Sequence, residues 1–318
     1  MTKPQVYCIG ELLIDMFCTD VDIALKDGEN FKKMAGGAPA NVAVAVSRLG
    51  GNAAFIGKVG NDAFGDFLVN TLEKYQVDVS MIVRDNNTPT TIAFVSLTRD
   101  GERDFQFNRG ADENFSLSDV PVKKILQSNI LHFGSATALL PDGIIRETYF
   151  SLMNQAKSED KFISFDPNYR HDLWKGRESE FIKYAQRAVG MADFVKVSEE
   201  ELKILTNEDE VSYGVATLHR IGASIVAVTM GEAGAIISDG NQYEQIPSEQ
   251  IKPVDSTGAG DAFVGAVLYQ MAHQGTEAVI DDFSKLKKVV QFANKVGAVV
   301  CTKIGSLTAL PTLDELED

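Results

Sequence analysis

The stretch Asp255-Ser-Thr-Gly-Ala-Gly-Asp261, running into the apolar residues 262–271, decides how this chain is read. Small residues at 258, 259 and 260 let the backbone turn tightly and point successive N–H groups outward. At a helix start those groups have no intrahelical partner, and the helix dipole adds to them, so the segment suits an anion. Asp261 falls where the helix begins. An Asp there reads either as an N-cap or as a carboxylate set beside the anion. A cap needs neither the Gly-Ala-Gly approach nor the second acid at 255. Phosphoryl transfer uses both features: the amides hold the charge gathering on the transferred group, and the carboxylate takes the proton of the attacking hydroxyl. The helix terminus is expected to keep Asp261 ionised. It is then a weak base, which suffices when the proton leaves late.

Upstream lies Ala35-Gly-Gly-Ala-Pro-Ala-Asn41, followed by a helical stretch and Gly50-Gly51. Gly36-Gly37 permits close backbone approach to a ligand. Asn41 carries donors and an acceptor, which suit a sugar hydroxyl; it is equally the residue that opens a helix. Gly57 and the run Gly60-Asn-Asp-Ala-Phe-Gly-Asp66 follow without Gly-Lys-[Ser/Thr], so no P-loop is present. No Gly-x-Gly-x-x-Gly opens the first helix either.

Between these segments, β-branched runs alternate with helical ones. Strands are expected at 5–10, 53–57, 130–133, 162–166, 194–197 and 225–229. Helices are expected at 40–49, 64–75, 143–156, 178–191, 199–206, 211–221, 261–273 and 285–301. Such alternation means βαβ units and a mostly parallel sheet covered on both faces. Residues 90–109 break the rhythm with two β-rich arms around Asp100-Gly101, a hairpin signal. Residues 12–18 and 30–35 are also strand-like. These pieces are read as one small sheet standing off the main body; the alternative is an antiparallel edge on the main sheet.

Composition limits the classes of function. The 318 residues carry 30 Lys and Arg against 45 Asp and Glu, a net charge of −15. That balance excludes a nucleic-acid backbone or an anionic membrane as partner. Cys8, Cys18 and Cys301 lack paired spacing, and His132, His171, His219 and His273 are scattered, so no zinc pattern forms. No signal peptide or apolar run of membrane-spanning length is seen, which gives a cytoplasmic expectation. The acidic residues 314–318 are expected to be a frayed end.

The two glycine segments together resemble those of the ribokinase-like, PfkB-type carbohydrate kinases. Gly36, Gly37, Asn41, Gly50 and Gly60 match that family's N-terminal signature, and residues 255–261 match its Asp-[Ser/Thr]-x-Gly-Ala-Gly-Asp. Gly10-Glu-Leu-Leu-Ile-Asp15, Asp166-Pro-Asn-Tyr-Arg170, Lys196-Val-Ser-Glu-Glu-Glu201 and Phe292-Ala-Asn294 with Cys301-Thr-Lys resemble fructokinases in particular.

The resemblance implies a three-layer α/β/α sandwich with a mostly parallel central sheet. One kinase domain spans 1–318, with a β-sheet lid inserted as segments of about 12–35 and 90–109. It implies ATP-dependent phosphorylation of a sugar, with fructose going to fructose 6-phosphate. Asp261 would be the base, and Gly258, Ala259 and Gly260 the anion hole. Asp15, Gly36, Gly37 and Asn41 would bind sugar, with Asn108, Arg109 and Arg170 also reaching the substrate. Lys196, Thr229, Gly231, Gly258, Gly260, Ala293 and Asn294 would border the nucleotide.

Glu201, Asp166, Asp255 and Thr257 would serve metals: Mg²⁺ for the first two, K⁺ near the last two through backbone oxygens. The family's Asn-x-x-Glu is altered, with Ser198 in place of Asn; Glu201 reads equally as a first-turn helix acid. A homodimer through the lid is implied, with Phe94, Phe105 and Phe107 either at that interface or facing the sugar. A 2-keto-3-deoxygluconate kinase is the alternative substrate reading, with Arg103, Arg109 or Arg170 pairing a carboxylate. A non-catalytic sugar- or nucleotide-binding protein is the alternative class.

Overall fold

The computed structural model describes residues 5–20, 22–97 and 103–317. The hairpin turn expected at Asp100-Gly101 lies outside them. In chain order the strands begin with β1 (Val6–Ile9), β2 (Leu13–Cys18), β3 (Phe31–Gly36) and β4 (Ala53–Gly60). Then come β5 (Asp78–Asp85), β6 (Ile92–Leu97), β7 (Arg103–Asn108), β8 (Ile130–Phe133) and β9 (Phe162–Phe165). The last four are β10 (Phe194–Ser198), β11 (Ile225–Thr229), β12 (Ala235–Ser238) and β13 (Tyr243–Ile246). The longer helices begin with α1 (Ala38–Arg48), α2 (Ala63–Lys74), α3 (Ile145–Ser158) and α4 (Glu178–Val189). They continue with α5 (Glu199–Thr206), α6 (Val211–Ile221), α7 (Ala259–Gln274) and α8 (Phe283–Cys301).

The large sheet runs β13-β12-β11-β10-β9-β8-β1-β4-β5. From β11 to β5 every neighbouring pair is parallel, and β12 and β13 close the other edge antiparallel. The two-residue period of a strand splits β1 between two cores. Val6 and Cys8 pack with α1, α7 and α8, while Tyr7 and Ile9 pack with α3, α4, α5 and α6. Both faces are therefore covered, which is why β8 and β11 read as nearly unbroken apolar runs. Each fully buried Ile, Val or Leu contributes about 1.5–3 kcal/mol.

The smaller sheet is separate and runs β3-β2-β6-β7. β2 pairs antiparallel with β3 and parallel with β6, so the early segment and the later arms join in one sheet, not as an edge on the large one.

Three strands escaped the sequence reading. β5 is a half-exposed edge strand with Asp78, Arg84 and Asp85 in it. β12 and β13 are four residues each, too short to show a period. The 314–318 tail is not frayed through its described part. Residues Asp314–Glu317 form a helical turn, with Leu316 in the core and Glu315 paired to Arg48 at 3.1 Å.

Candidate active site

α7 begins two residues earlier than expected, because Gly258 is its N-cap, with φ 81° and ψ 0° in the left-handed region. A Cβ there would fall 2.7 Å from the Cβ of Ser306, so only glycine fits. Asp261 is thus the third helical residue and not the cap. Its Oδ2 accepts from Asn41 Nδ2 at 2.8 Å, which ties the two signature segments together across the fold. Only 8% of Asp261 is exposed. Burial pushes its carboxyl above the ordinary aspartate value, although Asn41, Arg170 and Lys196 pull it down. Desolvation is the largest of these influences and sets the direction.

Asp255 holds the loop. Its Oδ1 accepts from Thr257 N at 2.9 Å and Thr257 Oγ1 at 2.6 Å, and its Oδ2 from Gly305 N at 3.0 Å. The side chain fastens the 301–306 turn to the glycine segment.

A cleft of about 440 Å³ opens between the two sheets, at the carboxyl ends of β1, β9 and β10. Asp15, Gly37, Asn41, Arg170, Gly258, Gly260 and Asp261 line it. Gly36 has a role the sequence did not show. A Cβ on it would sit 2.0 Å from Asp15 Oδ2, so the glycine clears space for that carboxylate rather than for a ligand. Gly37, at φ 113°, clears the Glu11 carbonyl, which a Cβ would meet at 2.4 Å. Asn41 Oδ1 is buried with no hydrogen-bond partner among the described residues.

Phe105 and Phe107 are stacked, with centroids 6.4 Å apart, and face this cleft. Phe94, one step out of phase on β6, packs edge-on to Phe31 at 5.8 Å on the opposite face. Glu11 was overlooked except as part of the fructokinase-like run. It is buried, and it accepts from Ser135 Oγ, from Ala136 N at 3.2 Å and from Ala38 N at 3.3 Å. It anchors the start of α1, and burial pushes its carboxyl up.

Asn108 and Arg109 do not line the cleft. Arg109 Nη2 pairs with the buried Asp112 Oδ2 at 2.9 Å. Asp112 also accepts from Thr91 Oγ1 and from Thr137 Oγ1 at 2.9 Å, a knot at the root of the small sheet. Arg170 does line the cleft, held by Tyr169 O at 3.0 Å.

At the ends of β9 and β10, Lys196 Nζ pairs with Asp166 Oδ2 at 3.0 Å, both buried. Burial alone would lower Lys196; Asp166 and Glu201 outweigh it, and its value rises. Lys196 borders the first cleft, not the nucleotide-side cavity expected for it. Glu201 closes a capping box on α5: its Oε2 accepts from Ser198 N and its Oε1 from Tyr169 N, both at 2.8 Å. Ser198 Oγ in turn accepts from Glu201 N at 3.1 Å. The altered Ser-x-x-Glu is thereby a helix cap.

A second cavity of about 420 Å³ is lined by Thr229, Gly231, Phe263, Asn294 and the 248–251 segment. Asn294 Nδ2 donates to Ile246 O at 2.9 Å, fastening α8 to the end of β13. Ala293 is fully buried in the core and does not line the cavity, contrary to expectation. Ser256 and Gly260 line both cavities, so the two meet at the start of α7.

The two cavities thus meet at the N-terminus of α7, with the buried Asp261 carboxylate on one side. The family described as pfkB family carbohydrate kinase matches residues 3–313, and the chain belongs to it. Fructokinase-1 of Zea mays is 39% identical over 317 residues, 99% of this chain and 97% of its own length. The fructokinase of Xylella fastidiosa with bound ATP superposes with a TM-score of 0.89 at 34% identity, covering 99% of this chain and 97% of that one. The Vibrio cholerae O395 fructokinase in its fructose, ADP and calcium ion bound form gives 0.86 at 33% identity, covering 100% and 99%.

Proposed function

We propose that the protein transfers the γ-phosphoryl group of ATP to fructose, giving fructose 6-phosphate. The observation that carries this reading is the junction at Gly260, where a polyol-sized cleft and a second cavity share one wall of helix-terminal amides. Nucleotide lies in the cavity bordered by Thr229, Gly231 and Asn294. Sugar lies against Asp15 and Asn41, whose free Oδ1 can accept from a hydroxyl. Asp261 takes the hydroxyl proton, and the N–H groups of Gly258, Ala259 and Gly260 hold the transferring group.

Among the described residues no cluster of three or more His, Cys, Asp or Glu could cage a metal. Asp166 is committed to Lys196, and Glu201 to two backbone amides. A magnesium ion carried by the nucleotide phosphates would be held through its own waters by Asp166 and Glu201, and would supply charge neutralisation to the phosphates. Potassium would sit by the backbone oxygens around Asp255 and Thr257.

The chain forms one α/β kinase domain, and segments of about 12–35 and 90–109 act as a lid. The stacked Phe105 and Phe107 exclude water, a competing acceptor. The outer face of the lid, around Phe31 and Phe94, pairs two chains in a homodimer. A neutral sugar suits the cleft better than a sugar acid. Arg109 is spent on Asp112, and the lining holds Glu11, Asp15, Glu200, Glu201 and Asp261.

The test is an ATP-coupled screen over fructose, ribose, 2-keto-3-deoxygluconate, adenosine and fructose 6-phosphate. Highest turnover on fructose is expected. Preference for the sugar acid would replace fructose as substrate, and no turnover on any would favour a binding protein.

A further inference from the structure

The small sheet joins the rest of the chain through the feet of two antiparallel strand pairs. The β2–β3 pair is entered through Glu11 and left at Ala38, and the β6–β7 pair is entered through Thr91 and left at Arg109. A different buried acid gathers the feet of each pair. Glu11 Oε1 accepts from Ala38 N at 3.3 Å and from Ala136 N at 3.2 Å, and its Oε2 accepts from Ser135 Oγ. Asp112 accepts from Thr91 Oγ1, from Arg109 Nη2 at 2.9 Å and from Thr137 Oγ1 at 2.9 Å. Each carboxylate thus pins both feet of one pair to the same stretch, residues 134–138, which follows β8 of the large sheet.

That stretch is a firm support. All of it is buried. Gly134 O accepts from Asn168 Nδ2 at 2.8 Å, and Ser135 N donates at 3.1 Å to the hydroxyl of Tyr149, a buried residue of α3. Ser135 Oγ receives Thr137 N at 3.2 Å and Ala138 N at 2.8 Å, so its own proton is the one that goes to Glu11. The two acids have different counter-charges: the Arg109 guanidinium for Asp112, and the first amide of α1 for Glu11. Directed hydrogen bonds in a dry region specify one arrangement, which apolar packing alone does less sharply.

We propose that Glu11 and Asp112 are positioning residues of the sugar site, and that residues 134–138 are the common fulcrum on which both halves of the lid are seated. This rests on the kinase reading above and on the small sheet acting as its lid. β2 carries Asp15, and β7 carries Phe105 and Phe107, into the cleft, so each acid aims one wall. The sugar binds at full strength only when both walls are seated, and its apparent affinity falls with the seated fraction. The base and the amides of α7 belong to the large body and stay in place. Once the sugar is seated, the chemical step is therefore unchanged.

The test is Thr137→Val, which deletes the hydroxyl on Asp112 and keeps the side chain's volume. A hydrogen bond to a charged group is worth about tenfold or more. The KM for fructose should rise about tenfold, while kcat and the KM for ATP stay within about twofold. Thr137→Ser, which keeps the hydroxyl, should match the parent within about twofold. Amide hydrogen exchange on the protein without ligand should quicken in both strand pairs of the small sheet, β2–β3 included, although the deleted hydroxyl bonds only at the foot of β6–β7. β8 and β9 should keep the parent's protection. A fructose KM within about twofold of the parent overturns the proposal. So does quickened exchange confined to residues 109–114 or spread through the large sheet, which would mark a local or a general brace. The exchange measurement needs no turnover, so it separates failure of this proposal from failure of the fructose reading, which the parent's own activity checks. If Thr137→Val folds poorly, Ser135→Ala loosens Glu11 instead. It should raise the fructose KM in the same way, and a parent-like KM in it overturns the proposal equally.

Discussion

Replacing Asp261 with asparagine separates chemistry from binding. The carboxylate is buried at the third position of α7 and meets Asn41 Nδ2 at 2.8 Å. The amide keeps the shape and an oxygen for that donor. It exchanges a charge-assisted hydrogen bond for a neutral one, a change of about 1 kcal/mol. Fructose affinity should therefore move by no more than about fivefold. The amide has no basic site at neutral pH, and general bases are worth about 10²–10⁴-fold. Since little solvent reaches the position, water is a poor substitute, and the upper half of that range applies. Turnover should drop by about 10³–10⁴-fold, or about 4–5.5 kcal/mol of barrier.

The fold itself should not suffer. Burial raises the Asp261 value above its ordinary one, so its favourable contribution is present at low pH and lost as pH rises through the folded value. At pH 7 the neutral amide costs less to bury, and the variant should melt at or above the parent's temperature. A coupled ADP-release assay, calorimetry with fructose and a thermal melt on one preparation make the measurement. Turnover above a tenth of the parent's, in protein that melts normally, refutes the base assignment.

Other outcomes follow from the same geometry. The parent's turnover should have an acid limb falling about tenfold per pH unit, set above the range of an exposed aspartate because burial raises Asp261; a pH profile flat down to the ordinary aspartate range contradicts it. Gly36→Ala, whose Cβ would overlap Asp15 Oδ2, should raise the KM for fructose at least about tenfold while leaving ATP KM nearly unchanged, as steady-state kinetics will show. Arg109→Ala strands the buried Asp112 carboxylate and should cost about 2–4 kcal/mol in urea denaturation. It should leave the ratio of fructose to 2-keto-3-deoxygluconate turnover unchanged; a selective loss on the sugar acid would place Arg109 at the substrate instead. Ser198→Ala removes the cap of α5 and should cost about 0.5–2 kcal/mol, measured by the same denaturation midpoint.

Elements with strong local signals were legible in the chain. α5 and α6 fall where expected, at Glu199–Thr206 and Val211–Ile221, because capping and amphipathic residues sit close together in sequence. β8 and β11 were equally plain, being apolar on both faces. The short antiparallel strands β12 and β13 were not, since four residues beside a turn carry no period. Within the site, Asp261 and Asn41 were legible from their glycine contexts, but their hydrogen bond was not. Ala293 and Arg109 show the limit from the other side. Each lies beside a residue or element at the site, yet one step of a helix sends Ala293 into the core, and the buried Asp112 takes Arg109.

The sequence by itself determined the glycine-rich helix start, the βα alternation and the acidic charge balance. Those properties live in neighbouring residues and in sums over the chain. Tertiary structure decided what individual small residues are for: Gly36 makes room for Asp15 and Gly258 for Ser306. It also decided that Asp261 is desolvated and that Glu201 caps α5. Such outcomes depend on distances of a few ångströms between residues far apart in the chain, and local spacing carries no record of them.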